Sequence, residues 1–368
     1  MRLERLLLRN YRNYPRLDLT PAAGLNVFLG RNAQGKTNLL ESVAMVALSS
    51  SPRARRELEL VGPLGAEARI EATVEASGRQ HTVRMIVPGG AVEGLPARVR
   101  ARRRIEVDGV ARRAVELPGL FRVVLFWPDD LSLAKSGPEH RRRLLNQMLV
   151  QIEPGYAGTL ARYTRVVEQR NHLLKQIAAR EQALDALEVW DLELLSTGAA
   201  IVRARAAVVE DLRRRAAQTH ARIAPGEMLE VGYVAPPGDL AGALAAARPE
   251  DLRRGVTTIG PHRDDLLIAL EGRETRAYAS QGQQRTAVVS IKLAEARVIE
   301  SRSGEAPVLL LDDVLSELDA GRRAALLEQL MASGQVIITS VEAEPFPPEV
   351  MHRARVSHIE EGRILADD

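Results

Sequence analysis

The sequence predicts an α/β protein in which the two ends of the chain form one domain and the middle forms a second, mainly helical domain. Three observations lead to this prediction. An apolar, strand-like run at 25–29 ends in a glycine-rich turn and continues into helical spacing over 37–48. The stretch from 139 to about 223 has a helical pattern throughout. Apolar strands and amphipathic helices then alternate again over 255–368, as expected for an α/β layer structure.

These patterns divide the chain into two predicted domains. We assign 1–137 and 255–368 to a discontinuous α/β head and 138–254 to an inserted, mainly helical lobe or short arm. The lobe is expected to contain three or four antiparallel helices, with interior breaks only at 154–158 and at Gly198. Its heptads are not sustained long enough for an extended coiled coil.

Strands dominate the N-terminal part of the predicted head. Apolar or alternating runs occupy 3–9, 25–29, 68–76, 81–87 and 121–127. Ser77-Gly78 and Asp108-Gly109 are short turn signals between such runs, and Asp-Gly in particular indicates a two-residue hairpin. In the C-terminal part we predict strands at 266–270, 308–311 and 336–339, and helices at 283–299 and 321–331.

The composition is that of a globular protein. Of the 368 residues, 45% are hydrophobic and 27% are charged, which is enough apolar sequence to bury a core. No stretch of eighteen residues is free of charge, so we expect no membrane partner. The sequence has no cysteine, which excludes disulfides and thiolate metal sites and fits a reducing compartment. We therefore expect a cytoplasmic protein.

The balance of charge weakly indicates a polyanionic partner. The net charge is only +3, but basic runs occur at 98–104, 140–143 and 213–215. Clustered arginines attract phosphates. Two alternatives remain open: a GC-rich coding bias, since only four of the 51 basic residues are lysine, and ordinary solvated faces.

The strongest motif is a complete phosphate loop with the pattern G-x4-G-K-[ST]. It reads Gly30-Arg31-Asn32-Ala33-Gln34-Gly35-Lys36-Thr37, followed by Asn38. The loop follows an apolar strand and opens a helix, where successive backbone N–H groups can cradle phosphates. Lys36 is predicted to neutralise the β- and γ-phosphates, and the Thr37 hydroxyl is predicted to hold Mg²⁺.

A second motif supplies two adjacent acids. The apolar run 308–311 is followed by Asp312 and Asp313, so a buried parallel strand would deliver both carboxylates at its C-terminal end. We predict that Asp312 holds Mg²⁺ and that Asp313 orients or deprotonates the attacking water. The alternative is that the two acids only cap a helix.

A third motif precedes a long predicted helix. The segment Ala279-Ser280-Gln281-Gly282-Gln283-Gln284-Arg285 resembles the signature turn of ABC ATPases, in which a serine and backbone amides face a γ-phosphate. Ser280, Gly282 and Gln283 are therefore candidate nucleotide ligands. The alternative is that Ser280 is only a helix N-cap and Gly282 only eases the turn.

The order of these motifs resembles the ATPase heads of the ABC/SMC class. The chain runs from phosphate loop through the insert to the signature turn, the acidic strand and then Asp319. The resemblance implies an ABC-type ATPase head whose two copies meet head-to-tail around two ATP molecules. Ser280 of one copy would face the γ-phosphate held by Lys36 of the other, and Asp319 would lie across that interface.

Several longer segments resemble the RecF family of recombination mediators. They are 9–14 (RNYRNY), 25–41 (LNVFLGRNAQGKTNLLE), 169–175 (QRNHLLK), 260–265 (GPHRDD) and 312–319 (DDVLSELD). By this resemblance Arg12 and Asn13 would contact the nucleotide, although a surface-turn role is the alternative. His262 and Arg263 have either an active-site or a structural role.

The resemblance also implies a function. It is an ATP-dependent homodimer that binds double-stranded DNA near single-stranded gaps, hydrolyses ATP slowly and helps to load the RecA recombinase with RecR and RecO. An SMC-like chromosome organiser and a transporter ATPase subunit are the alternatives. Two departures from the general ABC pattern leave the water-positioning residues unassigned: Thr339-Ser340 stands in place of a switch histidine, and 127–131 (WPDDL) stands in place of a glutamine loop.

Overall fold

A computed structural model of the chain describes residues 1–65, 67–89, 103–179, 183–236 and 238–365. Its strands are β1 (Arg2–Tyr11), β2 (Tyr14–Leu19), β3 (Leu25–Leu29), β4 (Glu67–Ala76), β5 (Arg79–Pro88), β6 (Arg104–Val107), β7 (Val110–Ala111), β8 (Val123–Phe126), β9 (Leu229–Val234), β10 (Asp265–Leu270), β11 (Arg273–Glu274), β12 (Val308–Asp312), β13 (Val336–Ser340), β14 (Arg355–Glu360) and β15 (Arg363–Leu365).

The helices are α1 (Lys36–Leu48), α2 (Ser132–Lys135), α3 (Pro138–Ile152), α4 (Tyr156–Ala178), α5 (Leu187–Ile223), α6 (Leu240–Arg254), α7 (Thr275–Tyr278), α8 (Gln281–Ser303), α9 (Ala320–Met331) and α10 (Pro348–Met351). Short 3₁₀ turns lie at Glu57–Leu60, Ala114–Glu116, Pro128–Leu131, Leu184–Ala186 and Leu315–Glu317. Within the described residues, every helix is too short or too polar to cross a bilayer.

The strands form three sheets. A six-stranded antiparallel sheet has the order β2-β1-β4-β5-β6-β7. A second sheet has the order β15-β14-β3-β13-β12-β8, in which only β15 is antiparallel to its neighbour. The third sheet, β11-β10-β9, is antiparallel. Because the mostly parallel sheet is covered on both faces, its strands are continuous apolar runs rather than alternating ones.

Helix α1 lies between the first two sheets, and this arrangement explains why it is buried almost all round. Phe28 of β3 faces α1 and the antiparallel sheet in one core cluster. Val27 and Leu29, on the opposite face of the same strand, pack with residues of α8 and α9 in a second cluster. The parallel sheet is therefore fixed between α1 on one side and α8 and α9 on the other.

The two predicted turns are confirmed. Ser77-Gly78 joins β4 to β5, and Asp108-Gly109 joins β6 to β7. All four residues have positive φ, at 53° and 69° in the first turn and 53° and 79° in the second. Positive φ at both central positions matches the right-handed twist of the flanking strands, which is why Gly follows Ser or Asp here.

The predicted helices of the lobe are confirmed, but the predicted break at Gly198 is wrong. Helix α5 runs for 37 residues through this position. A Cβ atom at Gly198 would lie 3.0 Å from the Leu240 side chain and 3.4 Å from the side chains of Pro261 and Tyr163. The glycine therefore allows close packing of neighbouring segments rather than ending the helix. The break between α4 and α5, and the whole of α6, were not predicted.

Strand β10 joins residues on both sides of the predicted domain boundary at 254. It pairs with β9 over six residues. Leu266 and Ile268 of β10 lie in one buried cluster with residues of α3, α4 and α5. The third sheet therefore packs on the helices of the lobe, and the division into head and lobe at 254 stays a prediction.

A buried ion-pair network holds the lobe together. The fully buried Arg170 of α4 donates to Asp191 of α5 at 2.7 Å and to Asp251 of α6 at 2.7 Å. It also donates to the Thr257 hydroxyl at 2.9 Å. The neighbouring Asn171 accepts from the Thr257 backbone at 2.6 Å. The string 169–175, which resembles the RecF family, therefore contains residues that join three helices.

His262 has a structural environment. Its Nδ1 lies 2.6 Å from the Tyr163 hydroxyl and its Nε2 lies 3.0 Å from the Thr257 carbonyl oxygen. Burial lowers the pKa of His262. At Gly260, φ is +138° and an added Cβ would lie 2.4 Å from the Tyr163 hydroxyl oxygen. These contacts support the structural alternative for the segment 260–265.

We predict that Arg170→Ala destabilises the protein by about 3–5 kcal/mol, because it leaves the fully buried Asp251 without its cation and Asp191 with Arg248 alone. Urea unfolding followed by circular dichroism measures the change. The matched control is Arg213→Ala, which removes an exposed ion pair with Glu210 and should leave the midpoint unchanged. Equal midpoints for the two variants would contradict the prediction.

Candidate nucleotide site

The candidate site lies at the C-terminal edge of the parallel strands. Strand β3 ends at Leu29 and leads into the phosphate loop and α1, while β12 ends at Asp312. Strand β13 lies between them and pairs with both. Ligands bind at this edge of open α/β sheets, because loops and helix N-termini converge there.

The backbone of the phosphate loop needs its glycines. Gly35 has φ +116°, and a Cβ there would lie 2.8 Å from the Asn13 amide nitrogen and 3.1 Å from the Tyr14 ring. A Cβ at Gly30 would lie 2.4 Å from the Ile359 carbonyl oxygen. Ala33 adopts φ 65°, a left-handed conformation that is uncommon outside glycine. The loop is therefore a fixed surface rather than a flexible turn.

Two other segments hold the loop from outside. The Asn13 side-chain amide donates to the Gln34 carbonyl oxygen at 2.9 Å, and the Gly362 backbone donates to the same oxygen at 3.0 Å. The Gln34 side chain accepts from the Glu361 backbone at 2.6 Å. The β1–β2 turn and the β14–β15 turn therefore both anchor this loop.

Lys36 is directed into the loop. Its side chain is only 7% exposed, and its Nζ donates to the carbonyl oxygens of Gly30 at 2.5 Å and Arg31 at 2.9 Å. Burial lowers the pKa of Lys36, while Asp313 and Asp312 act in the opposite direction. A cation in this position is well placed for the phosphates of a bound nucleotide.

Thr37 and Asp312 are brought together from positions far apart in the sequence. The Thr37 hydroxyl lies 2.8 Å from one Asp312 carboxylate oxygen, and the Thr339 hydroxyl lies 2.7 Å from the other. Asp312 is buried. One hydroxyl and one carboxylate, side by side beside a phosphate loop, fit the hard oxygen ligands that Mg²⁺ takes from a protein.

Asp313 has a left-handed backbone conformation. Its φ is 52°, and its backbone N–H donates to the Thr339 carbonyl oxygen at 3.1 Å. Aspartate adopts this conformation more readily than most residues, and eight other non-glycine residues of the described chain adopt it too. Asp313 lines a cleft of about 470 Å³ together with Lys36, Thr37 and Asp312.

The same cleft contains Arg53, which the sequence analysis did not identify, and Pro128 of the segment 127–131. The Arg53 guanidinium lies 5.9 Å from the centre of the Trp127 ring. Arg53 also donates to the Asn38 side-chain oxygen at 3.3 Å. The segment 127–131, which stands in place of a glutamine loop, therefore reaches the cleft.

Arg12 and Asn13 have different surroundings. The Arg12 guanidinium makes a bidentate contact with Glu41 of α1, at 2.8 Å for both hydrogen bonds, and donates to the Glu59 carbonyl oxygen at 2.7 Å. Asn13 contacts the phosphate loop and accepts from the Asn38 side chain at 2.8 Å. Both line a neighbouring cleft of about 600 Å³. Asn13 is thus the nearer of the two to the phosphate loop.

Ser280 caps helix α8 through a reciprocal capping box. Its hydroxyl accepts from the Gln283 backbone at 3.3 Å, and the Gln283 side chain accepts from the Ser280 backbone at 3.0 Å. Ser280 and Gly282 are both exposed. A Cβ at Gly282 would meet only the Arg322 side chain, at an ordinary 3.5 Å. The packing of this chain therefore does not require glycine at this position.

Asp319 is the corresponding cap of helix α9. Its carboxylate accepts from the Arg322 backbone at 3.0 Å, and the side chain is exposed. Among the described residues, Ser280, Gly282 and Asp319 are not part of the lining of the 470 Å³ cleft. The structure thus brings the phosphate loop and the two acids together and leaves Ser280, Gly282 and Asp319 exposed outside that cleft.

Known proteins resemble this chain over nearly its whole length. The family described as the RecF/RecN/SMC N terminal domain matches residues 2–363. The DNA replication and repair protein RecF of Lachnoclostridium phytofermentans is 35% identical over 99% of both chains. The protein of that name from Chloroflexus aurantiacus is 38% identical over the full length of both.

Solved structures give the same result. The recombination mediator protein RecF with ATP, from the RecFOR pathway, has a TM-score of 0.87 and 30% identity, with 99% of this chain and 97% of that chain covered. The SMC head bound to the C-winged helix domain of ScpA has a TM-score of 0.56 and 15% identity, over 99% and 96% of the two chains. The second match concerns the fold alone and confirms the predicted ABC/SMC head-like α/β fold. The chain belongs to the RecF family of DNA replication and repair proteins.

Proposed function

We propose that this protein is a DNA-repair ATPase in which bound ATP joins two copies of the chain. The observation that carries the proposal is the contact of Thr37 with Asp312 beside the buried Lys36, since these three groups form the phosphate and Mg²⁺ end of a nucleotide site. A solved relative, the recombination mediator protein RecF with ATP, supports the choice of nucleotide. The protein would act in the cytoplasm as a slow switch.

In this proposal the ATP phosphates lie on the loop Gly30–Thr37, and Asn38, the next residue of α1, also lines the site. The backbone N–H groups at the start of α1 bind phosphate oxygens, and Lys36 neutralises the β- and γ-phosphates. Thr37 and Asp312 would hold Mg²⁺, which when bound stabilises the negative charge of the leaving phosphate. Asn13 and Arg12, which lie in the β1–β2 turn, would also contact the nucleotide.

Asp313 is the proposed water-positioning residue. Its position directly after Asp312 places a carboxylate at the edge of the same cleft, and its backbone is held by a hydrogen bond to the Thr339 carbonyl oxygen. A carboxylate there can accept a proton from water that attacks the γ-phosphate. Arg53, beside Asn38 and Trp127, is a further group that can contact the phosphates.

The signature turn is the proposed contact with the nucleotide of the second copy. Ser280, Gly282 and Gln283 lie at the N-terminus of the 23-residue helix α8, where backbone N–H groups attract anions. Glycine at 282 has no packing reason within the chain, which is consistent with the close approach of another molecule. Asp319 lies at the adjacent helix start and would face the same interface.

Duplex DNA near single-stranded gaps is the proposed macromolecular ligand, with RecR and RecO as partners and RecA loading as the outcome. The support is family membership and the RecFOR pathway named for a solved relative. Only 3% of residues are aromatic, which argues against a stacking platform for single strands. The fold match to SMC heads keeps a chromosome-organising role as the alternative, but α5 packs along the lobe instead of extending into a long arm.

Several arginines of the basic runs make contacts within the chain, so they are less available to DNA phosphates than the charge of the runs suggests. Arg141 binds Asp265, Arg142 donates to the Asp264 backbone and Arg143 to the Pro52 backbone. Arg213 and Arg214 pair with acids of their own helix. Positions 98–102 of the run 98–104 lie outside the described residues. Among the described arginines of these runs, Arg141 is buried and is not available to phosphates.

The central test is the mass of the protein in solution. ATP with Mg²⁺ should double the mass measured by light scattering, and the doubling should be lost in Ser280→Arg, because a large cation blocks the turn that faces the second nucleotide. A fluorescent ATP analogue should still bind this variant. A protein that remains a monomer with ATP and still hydrolyses it efficiently would contradict the proposal.

We predict that Asp313→Asn lowers kcat by about 10²–10⁴-fold while ATP binding and pairing are retained, because the amide cannot accept the proton. Phosphate release and analogue binding measure the two properties. The matched control is Asp185→Asn, an exposed acid of the lobe, which should turn over ATP like the parent. Unchanged turnover in Asp313→Asn would exclude a catalytic role for that carboxylate.

We predict that the ATP-bound protein binds duplex DNA with a strong dependence on salt and little dependence on sequence. With about six phosphate contacts, affinity should fall about 10³-fold between 50 and 200 mM salt, because condensed counterions are released on binding. Fluorescence anisotropy with two unrelated duplexes of equal length measures both properties. Affinity that changes little with salt would show that phosphate contacts do not dominate.

A further inference from the structure

An exposed aromatic side chain lies beside the signature turn. Tyr278, two residues before Ser280, is 70% exposed. Among the aromatic residues in the described part of the chain, it is the only one that is exposed; the others are buried or half-buried. Tyrosine rings on a protein surface are a common centre of protein–protein contacts, because they supply a large contact area at a low cost in side-chain entropy.

The backbone that carries Tyr278 is fixed to the rest of the fold. Thr275, at the start of the same short helix α7, is buried, and its hydroxyl donates to the Ile268 carbonyl oxygen of β10 at 3.1 Å. The Gln284 side chain of α8 donates to the Thr275 carbonyl oxygen at 3.0 Å. The same contacts with β10 and α8 therefore hold the backbone on both sides of Tyr278. A surface that is already ordered loses little entropy on binding.

A neighbouring arginine supports the ring. Arg273, in β11, places its guanidinium 5.7 Å from the centre of the Tyr278 ring, within the range of a cation–π contact. Arg273 and Arg276 are both exposed, as are Glu271 and Glu274 of the same segment, so the relevant charge is the single guanidinium of Arg273 at the ring and not a basic patch. A second copy that carries bound ATP would present the opposite charge, since the triphosphate lies on its phosphate loop. The Arg273 cation beside the ring is therefore complementary in charge to the nucleotide-loaded face of another copy.

We propose that Tyr278, supported by Arg273, is the main aromatic contact between two copies of this chain and packs against the phosphate-loop face of the second copy. The inference rests on the proposed function, because it requires the ATP-joined pair. It goes beyond that function because it attributes part of the affinity between the two copies to a residue outside the phosphate loop and the signature turn. On this basis the interface continues from Ser280 across α7 to β11.

The first test compares variants in the presence of ATP and Mg²⁺. Tyr278→Ala should weaken pairing about 10- to 30-fold, as expected for the loss of an aromatic residue at the centre of an interface, and Tyr278→Phe should stay close to the parent. Sedimentation velocity measures the Kd of the pair. Val189→Ala is the matched control, because Val189 is equally exposed, at 71%, but lies on the lobe. The affinity of the monomer for a fluorescent ATP analogue should be the same in all variants.

The second test does not depend on weakened pairing. The chain has no cysteine, so Tyr278→Cys carries a single thiol. At a protein concentration well above the Kd measured for Tyr278→Ala, where the variant still pairs, ATP should slow the alkylation of this thiol about tenfold or more if the position becomes covered. The thiol of Val189→Cys should react at the same rate with and without ATP.

The outcomes separate this inference from the proposed function. If Ser280→Arg abolishes pairing while Tyr278→Ala pairs like the parent and the thiol at 278 stays reactive, the inference is wrong and the proposed function stands. If Ser280→Arg also pairs normally, the ATP-joined pair itself is wrong. If Tyr278→Phe weakens pairing as much as Tyr278→Ala, the ring is not the contact and the inference is again overturned.

Discussion

The whole site depends on one buried carboxylate that accepts hydrogen bonds from two sides. Asp312 accepts from Thr37 at the start of α1 and from Thr339 on β13. An ionised carboxylate removed from water is costly unless its oxygens are satisfied, so the two hydroxyls fix where the end of β12 can lie. This contact joins residues 275 positions apart and holds the phosphate loop, the acidic strand and the central strand β13 in one register. The relative positions of these three segments form the cleft.

A second buried group of charges determines the position of α8 relative to this cleft. Lys292 and Glu295 of α8 are both almost fully buried and form an ion pair, with Asp130 of the 127–131 segment close to both. Burial raises the pKa of Glu295 to about 6, against the effect of Lys292. Separating the partners of a buried ion pair costs folding free energy. The pair therefore holds α8 in one position against the segment that lines the cleft. The helix that presents the signature turn is therefore tied to the nucleotide site of its own chain.

The sequence was sufficient for features that depend on local order along the chain. The phosphate loop, the two acids and the capped turn at Ser280 are recognisable in the sequence because the residues of each motif are adjacent along the chain. Residues brought together by folding were missed. Arg53 and Trp127 are far apart in sequence and meet only because the end of α1 passes β8, and the anchoring of Gln34 by Gly362 depends on how β14 pairs with β3. Gly198 was misinterpreted because a glycine that allows close packing and one that ends a helix have the same signal in the sequence.

Three residues mark the two surfaces that the proposed function uses. Asp313 has a left-handed backbone at the edge of the cleft, Gly282 is a glycine that the local packing does not require, and Tyr278 is an aromatic ring left in solvent. Gly282 and Tyr278 depart from the usual rules of packing, and such departures concentrate where a protein binds something. Asp313 lies at the cleft that would hold the nucleotide, while Gly282 and Tyr278 lie outside it and would face a second copy. In the proposed pair these residues would form the two halves of one composite site, with Asp313 contributed by one copy and Gly282 and Tyr278 by the other.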